Sequence, residues 1–215
     1  MKKNIMILVS IALFLNLACE DMDYGLEEEM EEDFDKSEIV ASDSKPLNYW
    51  TNEWFSEEGT GIQDCDPGYY VRGVKCSGKW CDNKQLLCSR EGKPDISKTM
   101  KATDWFSEET TNGNVNNQMC EQIDDKLWVV RGMRCGGSNC DNIKLRCATF
   151  FQGDGMVGNG LHNDCKWSDE ISEEVGMNVF IAPKGKVIVQ AKCLGSYCDR
   201  MQFYHCTPYF IDLSN

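Results

Sequence analysis

Histidine is scarce in this sequence: His162 and His205 are the only two in 215 residues. Neither is accompanied by a Gly-x-Ser-x-Gly elbow. With no nucleophile–base constellation in view, the chain is expected not to be an enzyme. Carboxylate pairs are plentiful, but adjacent glutamates on a strand point to opposite faces, which suits shared acid–base work poorly. A basic patch is also missing, so nucleic acid is not an expected partner. No segment after Leu17 approaches the length that crosses a bilayer as a helix. A helical period of 3.6 is not evident beyond the N-terminal region. Cys-x2-Cys knuckles do not occur, and with them goes the zinc-ribbon reading; no metal ligands are expected.

What is present begins with a targeting pattern. Lys2 and Lys3 precede an apolar run from Ile5 to Leu17, thirteen residues broken only by Ser10 and Asn16. At 1.5 Å rise per residue this run is too short to span a core of ~30 Å. It ends at Ala18-Cys19, which resembles a lipobox, where the cysteine is lipidated and becomes the mature N-terminus. Asn16 and Leu17 depart from that pattern. The expectation is a lipoprotein signal peptide over 1–18, lipidation at Cys19 and membrane attachment through that lipid; ordinary secretion is the alternative.

The formal net charge of −13 is unevenly spread. Residues 20–43 hold twelve acids against the single base Lys36, whereas residues 44–215 hold 23 acids and 19 bases. A stretch such as Glu27-Glu28-Glu29-Met30-Glu31-Glu32-Asp33 repels itself and has little apolar surface to bury. Residues 19–45 therefore read as an acidic, disordered, extended tether. Acidity directly after the lipid cysteine also resembles stretches that send lipoproteins to the outer cell surface. The expected location is a bacterial outer membrane, lipid-anchored and surface-exposed.

Internal repetition dominates the remainder. Copy 1 reads Trp54-Phe55-Ser56-Glu57-Glu58, Cys65, Val71-Arg72-Gly73-Val74-Lys75-Cys76, Cys81-Asp82-Asn83, Cys88. Copy 2 reads Trp105-Phe106-Ser107-Glu108-Glu109, Cys120, Val130-Arg131-Gly132-Met133-Arg134-Cys135, Cys140-Asp141-Asn142, Cys147. Copy 3 is looser: Ile171-Ser172-Glu173-Glu174, Val187-Ile188-Val189, Lys192-Cys193, Cys198-Asp199-Arg200, Cys206. The second and third cysteines are five apart in every copy, and the step to the fourth is seven, seven and eight. β-branched and aromatic runs before the inner cysteines, and return runs after them, predict a hairpin per copy. Gly78, Gly136-Gly137 and Gly195 suit the turns. Gly153–Gly160 reads as a loop between copies 2 and 3. One hairpin unit cannot stand alone, so the three are expected to share a core with Trp54, Trp105, Trp128, Phe55 and Phe106. The fold expected is one all-β, disulfide-rich, pseudo-threefold domain over 46–215, β-prism-like or β-trefoil-like, with copies at about 48–92, 99–150 and 161–210.

Thirteen cysteines less Cys19 leave twelve, four per copy. An exported chain can oxidise them. The inner cysteines flank a short turn, predicting Cys76–Cys81, Cys135–Cys140 and Cys193–Cys198. The outer ones bracket the hairpin, predicting Cys65–Cys88 and Cys120–Cys147. In copy 3 the outer position falls near Ala182-Pro183, so Cys165 is expected to pair with Cys206.

The ending Cys198-Asp199-Arg200-Met201-Gln202-Phe203-Tyr204-His205-Cys206 resembles the repeat endings of the dermatopontin family. Cys65-Asp66-Pro67-Gly68 before a Val-rich strand is similar as well. Asp82-Asn83 and Asp141-Asn142 replace the family's Asp-Arg, and the inner cysteines and Ser-Glu-Glu boxes depart from it. The resemblance implies adhesion and binding of extracellular glycans or matrix-like polymers; a structural or protein-interaction envelope lipoprotein, or an inhibitor of secreted enzymes, is the alternative. Two acidic boxes recur, giving Glu57, Glu58, Asp82, Glu108, Glu109, Asp141, Glu173, Glu174 and Asp199 as candidate ligand residues. They read either as three equivalent pockets for a sugar or Ca²⁺, or as pins for one turn made three times, with Arg72 and Arg131 as ion-pair partners; apart from that Ca²⁺ reading no cofactor is expected.

Overall fold

The computed structural model describes residues 45–211, except 93, 109–115, 122–125, 153–155 and 175. Cys19, Glu109 and the tether up to residue 44 lie outside the described residues. The described chain is all-β, as expected from the sequence, with short 3₁₀ turns and no α-helix. Copy 1 supplies β1 (Asn48–Trp50), β2 (Ile62–Asp64), β3 (Tyr70–Ser77) and β4 (Asn83–Ser89). Copy 2 supplies β5 (Pro94–Ala102), β6 (Asn117–Met119), β7 (Trp128–Gly136) and β8 (Asn142–Gln152). A further strand, β9 (Met156–Leu161), precedes copy 3, whose strands are β10 (Lys166–Trp167), β11 (Val179–Ile181), β12 (Val187–Leu194) and β13 (Arg200–Cys206); β14 (Pro208–Ile211) ends the described chain. The Gly-rich stretch expected to be a loop is thus largely strand. Its backbone pairs with β8 and β14, and Gly158 packs under Leu127 where a Cβ would come within 3.0 Å.

Three antiparallel hairpins, β3–β4, β7–β8 and β12–β13, form the frame, as the repeats predict. Each rising strand carries a β-bulge at the same place, between Val71 and Gly73, Val130 and Gly132, and Ile188 and Gln190. A bulge adds one residue and re-aims the side chains beyond it. Past this point Val74 and Cys76, Met133 and Cys135, and Ala191 and Cys193 all turn inward to one shared cluster. Lys75, Arg134 and Lys192 alternate with them and face out. Before the bulge, Tyr70, Val129 and Val187 feed a second cluster with Phe150 and Ile96.

The hairpins are joined by exchanged strands. β2 of copy 1 pairs with β7 of copy 2, β6 of copy 2 with β12 of copy 3, and β11 of copy 3 with β3 of copy 1. The backbone bonds repeat around this cycle: the N–H groups of Cys65, Cys120 and Ala182 donate to the carbonyls of Arg131, Val189 and Arg72. Every copy therefore lies in two sheets, and we call the three crossings seams 1, 2 and 3.

All six expected disulfides are present: Cys65–Cys88, Cys76–Cys81, Cys120–Cys147, Cys135–Cys140, Cys165–Cys206 and Cys193–Cys198. Cys65–Cys88 and Cys120–Cys147 cross-link seams 1 and 2, because each ties an exchanged strand back to its own hairpin. The expected core needs one correction. Phe55, Phe106 and Trp128 are buried, but Trp54 is 43% exposed and Trp105 only half-buried. Phe55 and Phe106 bridge inward to Lys84 and Ile143, so the tryptophan one residue earlier points outward.

Candidate functional site

The Gly-x-x-Cys-Asp stretches build one unusual turn three times. Trp80 and Cys81, Asn139 and Cys140, and Tyr197 and Cys198 all have φ between 52° and 70°, a left-handed pair that L-residues rarely adopt. The inner disulfides close these turns. The aspartate after each one lies over the preceding glycine: a Cβ on Gly78, Gly137 or Gly195 would sit 2.0, 1.8 or 2.0 Å from Oδ1 of Asp82, Asp141 or Asp199. Glycine is therefore required there on two counts, its backbone and its missing side chain. Asn83 and Asn142 donate Nδ2–H to the same Oδ1 of Asp82 and Asp141 at 2.9 and 2.6 Å. In copy 3, Arg200 lies 4.0 Å from Asp199. Burial raises the Asp199 carboxyl above its usual value, with Glu174 adding to it.

The Ser-Glu-Glu boxes divide by residue. Glu108 of copy 2 accepts the backbone N–H groups of Tyr197 and Cys198, reaching across to the turn of copy 3. Glu57 is half-buried, while Glu58, Glu173 and Glu174 are exposed. The three turns pack against each other at one end of the frame, where Trp80 and Tyr197 meet at 5.6 Å. Arg72 and Arg131 do not pair with either box. Arg72 binds Glu91 at 2.6 Å and the Ala182 carbonyl; Arg131 donates to the carbonyls of Cys65, Ser97 and Lys98. Both sit at the bulge, so they aim at the crossing strand and not at the distant turn. Among the described residues no cluster of three or more acidic, His or Cys side chains is poised around a metal position.

The outward hairpin faces carry a feature that the sequence reading missed. On copy 1, Lys75 Nζ sits 4.9 Å from the Trp50 ring and 5.0 Å from Trp54. On copy 2, Lys144 and Arg134 lie 4.9 and 5.5 Å from Trp105, whose ring rests on Gly136, 2.9 Å from where a Cβ would be. On copy 3, Lys192 lies 5.9 Å from Trp167, which is 36% exposed and tilts against Tyr204 at 5.1 Å. Lys75, Arg134 and Lys192 each immediately precede an inner cysteine. That shared offset was the available signal, hidden because residue identity varies between Lys and Arg.

A groove opens beside each seam, between the first strand of a copy and its exchanged strand. The frame is constant: the hydroxyls of Thr51, Thr103 and Ser168 accept the N–H groups of Leu86, Leu145 and Phe203. The linings differ. The groove of copy 1 holds about 480 Å³ and is lined by Tyr49, Gln63, Asp64 and Asp66 among others. Tyr49 donates its hydroxyl to Asp66 at 2.5 Å, and burial and that bond raise the phenol above its ordinary value. The groove of copy 2, about 200 Å³, has Lys101 and Trp128. The groove of copy 3, also about 200 Å³, is rimmed by exposed Trp167, Met177, Val179 and Ile181 with His205 at its floor. Burial, then Lys186 and Lys166, lower the His205 pKa from its usual value.

No known family model matches the chain, and neither a curated protein nor a solved structure is found to be similar to it.

Proposed function

We propose that this protein is a non-catalytic, lipid-anchored surface protein that binds glycans or matrix-like polymers through the aromatic faces of its three hairpins. The observation that carries the reading is a tryptophan on the outward side of every hairpin, Trp54 being 43% and Trp167 36% exposed and Trp105 partly so. Such a ring offers an apolar plane for the C–H face of a sugar, and neighbouring Lys, Arg and Gln side chains supply donors for its hydroxyls. Three faces on one rigid frame suit a repeating polymer, since linked weak contacts multiply. A lipid on Cys19 would attach the protein to a membrane, with the acidic segment lying between the anchor and the β domain in the chain.

The test is an array of immobilised polysaccharides and oligosaccharides probed with the oxidised mature protein, with and without Ca²⁺. Retention on one polymer class that Trp54→Ala and Trp105→Ala each weaken is expected. Failure of the wild type to bind any of them would remove the proposal. Mass spectrometry of the mature N-terminus tests the lipid on Cys19 separately.

A second reading has one observation in its favour. The apolar rim of the copy 3 groove is of the kind that protein partners cover. A tight stoichiometric protein complex disrupted by Val179→Lys, with no glycan retained, would make that reading the better one.

A further inference from the structure

From the cations on the three tryptophan faces we infer that the polymer recognised is anionic, a polyuronate or sulfated glycan rather than a neutral one. This rests on the glycan reading above and specifies its ligand. Lys75, Arg134, Lys144 and Lys192 all lie within 6 Å of an outward tryptophan. Among the described residues none of the four forms an ion pair, so no carboxylate of the fold answers their charge. Lys75, Arg134 and Lys192 also stand on three different hairpins in the same relation to the inner disulfide, and fold geometry alone does not ask for charge there. Leu194, two residues beyond Lys192 on the same face, shows that this side of the strand takes an apolar residue as well.

Chemistry then selects the ligand. A cation held over an indole ring presents its remaining N–H donors outward, beside an apolar plane. A sugar carrying a carboxylate or sulfate satisfies both, with the ring face on tryptophan and the anion on Lys or Arg. A neutral sugar would use the plane and leave the charge unanswered. The acidic Glu53, Asp64 and Asp66 of the copy 1 groove do not carry this role, because they would repel such a chain.

The experiment compares retention of the full mature protein on heparin, alginate and pectate with retention on neutral dextran and mannan, across a series of NaCl concentrations. The variants are Lys75→Gln, Lys192→Gln, the pair Arg134→Gln/Lys144→Gln, and all four together, each checked for the six disulfides by mass spectrometry. Tight retention on at least one anionic polymer, weakening steadily with salt, is expected. Each face removed should cost roughly two- to fivefold in affinity, and the fourfold variant should lose salt-sensitive binding. Equal retention on neutral polymers, unmoved by the fourfold change, overturns the inference and leaves glycan binding standing. No retention on any polymer overturns both.

Discussion

Seams 1 and 2 differ from seam 3 in one substitution of chemistry. At seam 1 the crossing strand ends in Cys65, bonded to Cys88; at seam 2 it ends in Cys120, bonded to Cys147. The residue in that place at seam 3 is Ala182, whose N–H makes the same backbone bond as the two cysteines. Register identifies its opposite number. Val71 faces Cys88 and Val130 faces Cys147, while Ile188 faces His205. So Ala182 and His205 stand where the other seams have a disulfide. Cys206 lies one residue further along, which turns it to the other side of the strand, where it meets Cys165. The eight-residue step between the last two cysteines of copy 3, against seven in the others, is the trace of that shift. In place of a covalent link, Phe180 of the crossing strand stacks on Phe203 at 5.7 Å and leans on His205 at 5.4 Å. Dispersion and burial hold this crossing.

The largest effect should come from erasing the difference. Ala182→Cys with His205→Cys places two thiols in the frame that already supports two disulfides. If the bond forms, a loop of this size should raise the unfolding free energy by roughly 3 kcal/mol in the chain-entropy account. Urea denaturation of the oxidised variant against wild type measures it, and mass spectrometry shows whether two further hydrogens are lost. Conversely, Cys65→Ala with Cys88→Ala removes the covalent tie of seam 1 and should cost roughly the same amount. If the first change leaves stability where it was, the seams are not equivalent in geometry.

A second difference among the copies lies beneath the turns. Phe55, Phe106 and Ile171 bridge to Lys84, Ile143 and Met201, so copy 1 has a lysine where the others are apolar. Lys84 is fully buried and donates Nζ–H to the Cys81 carbonyl at 2.7 Å. Burial lowers its pKa to about 8, opposed by Asp82 and Glu57. The unfolded chain holds the proton more tightly, so the folded state loses stability as pH falls from the free value of 10.5 toward 8, and the loss is complete below that. Lys84→Met, copying Met201, should raise stability at pH 7 by about 2 kcal/mol after allowing for the lost hydrogen bond. It should also flatten the rise in stability between pH 8 and 10.5. Thermal unfolding across that range reads both.

How far these features were legible in the sequence depends on the range over which they act. The hairpins, the glycine turns and the inner disulfides follow from short spacings, and those are present in the chain as written; Cys165–Cys206, 41 residues apart, follows only as the pair left over. The exchange of β2, β6 and β11 between copies is not, because the three-residue strands Ile62–Asp64, Asn117–Met119 and Val179–Ile181 share no pattern with each other. Lys84 reads as a polar turn neighbour between Asn83 and Gln85; only its alignment with Ile143 and Met201 marks it as core. Trp54 and Trp105 read as core in the sequence because an aromatic pair, Trp54-Phe55 or Trp105-Phe106, does not say which member faces inward. The aspartates of the Cys-Asp box read equally as ligand or turn residues, because the carboxylate seated on glycine is an approach in space that spacing does not show.

The glycines under the crossings give a smaller test of the same contrast. A Cβ on Gly132 would come within 2.7 Å of the Gln63 carbonyl and 2.0 Å of Asp64 Oδ1 at seam 1; one on Gly73 would meet the Phe180 carbonyl at 2.7 Å at seam 3. Strand β2 is tied by Cys65, next to Asp64, whereas β11 has no such tie. Gly132→Ala should therefore cost more than Gly73→Ala, by about 1 kcal/mol, because the free strand can yield. Equal costs in denaturant unfolding would mean that the aromatic stack holds seam 3 as firmly as sulfur holds seam 1.

Acid offers the mildest way to separate the seams. His205 is buried under Phe180, with Lys186 and Lys166 nearby and Asp164 the opposing charge; its folded pKa lies below the unfolded value of 6.5. As pH falls past 6.5 the unfolded chain takes up the proton first, so stability drops, and it keeps dropping until the folded pKa is passed. The strain falls on seam 3 alone, since Cys88 and Cys147 in the same place carry no titrating group. Amide exchange should therefore quicken below pH 6 at Val179–Ile181 relative to Ile62–Asp64 and Asn117–Met119, after correction for the intrinsic pH dependence of exchange. His205→Phe removes the titrating group and keeps an aromatic beneath Phe180, and it should abolish that selective loosening. If β11 and β2 lose protection in parallel, or if His205→Phe leaves the difference intact, the acid response does not originate at His205 and seam 3 owes its looseness only to the missing disulfide.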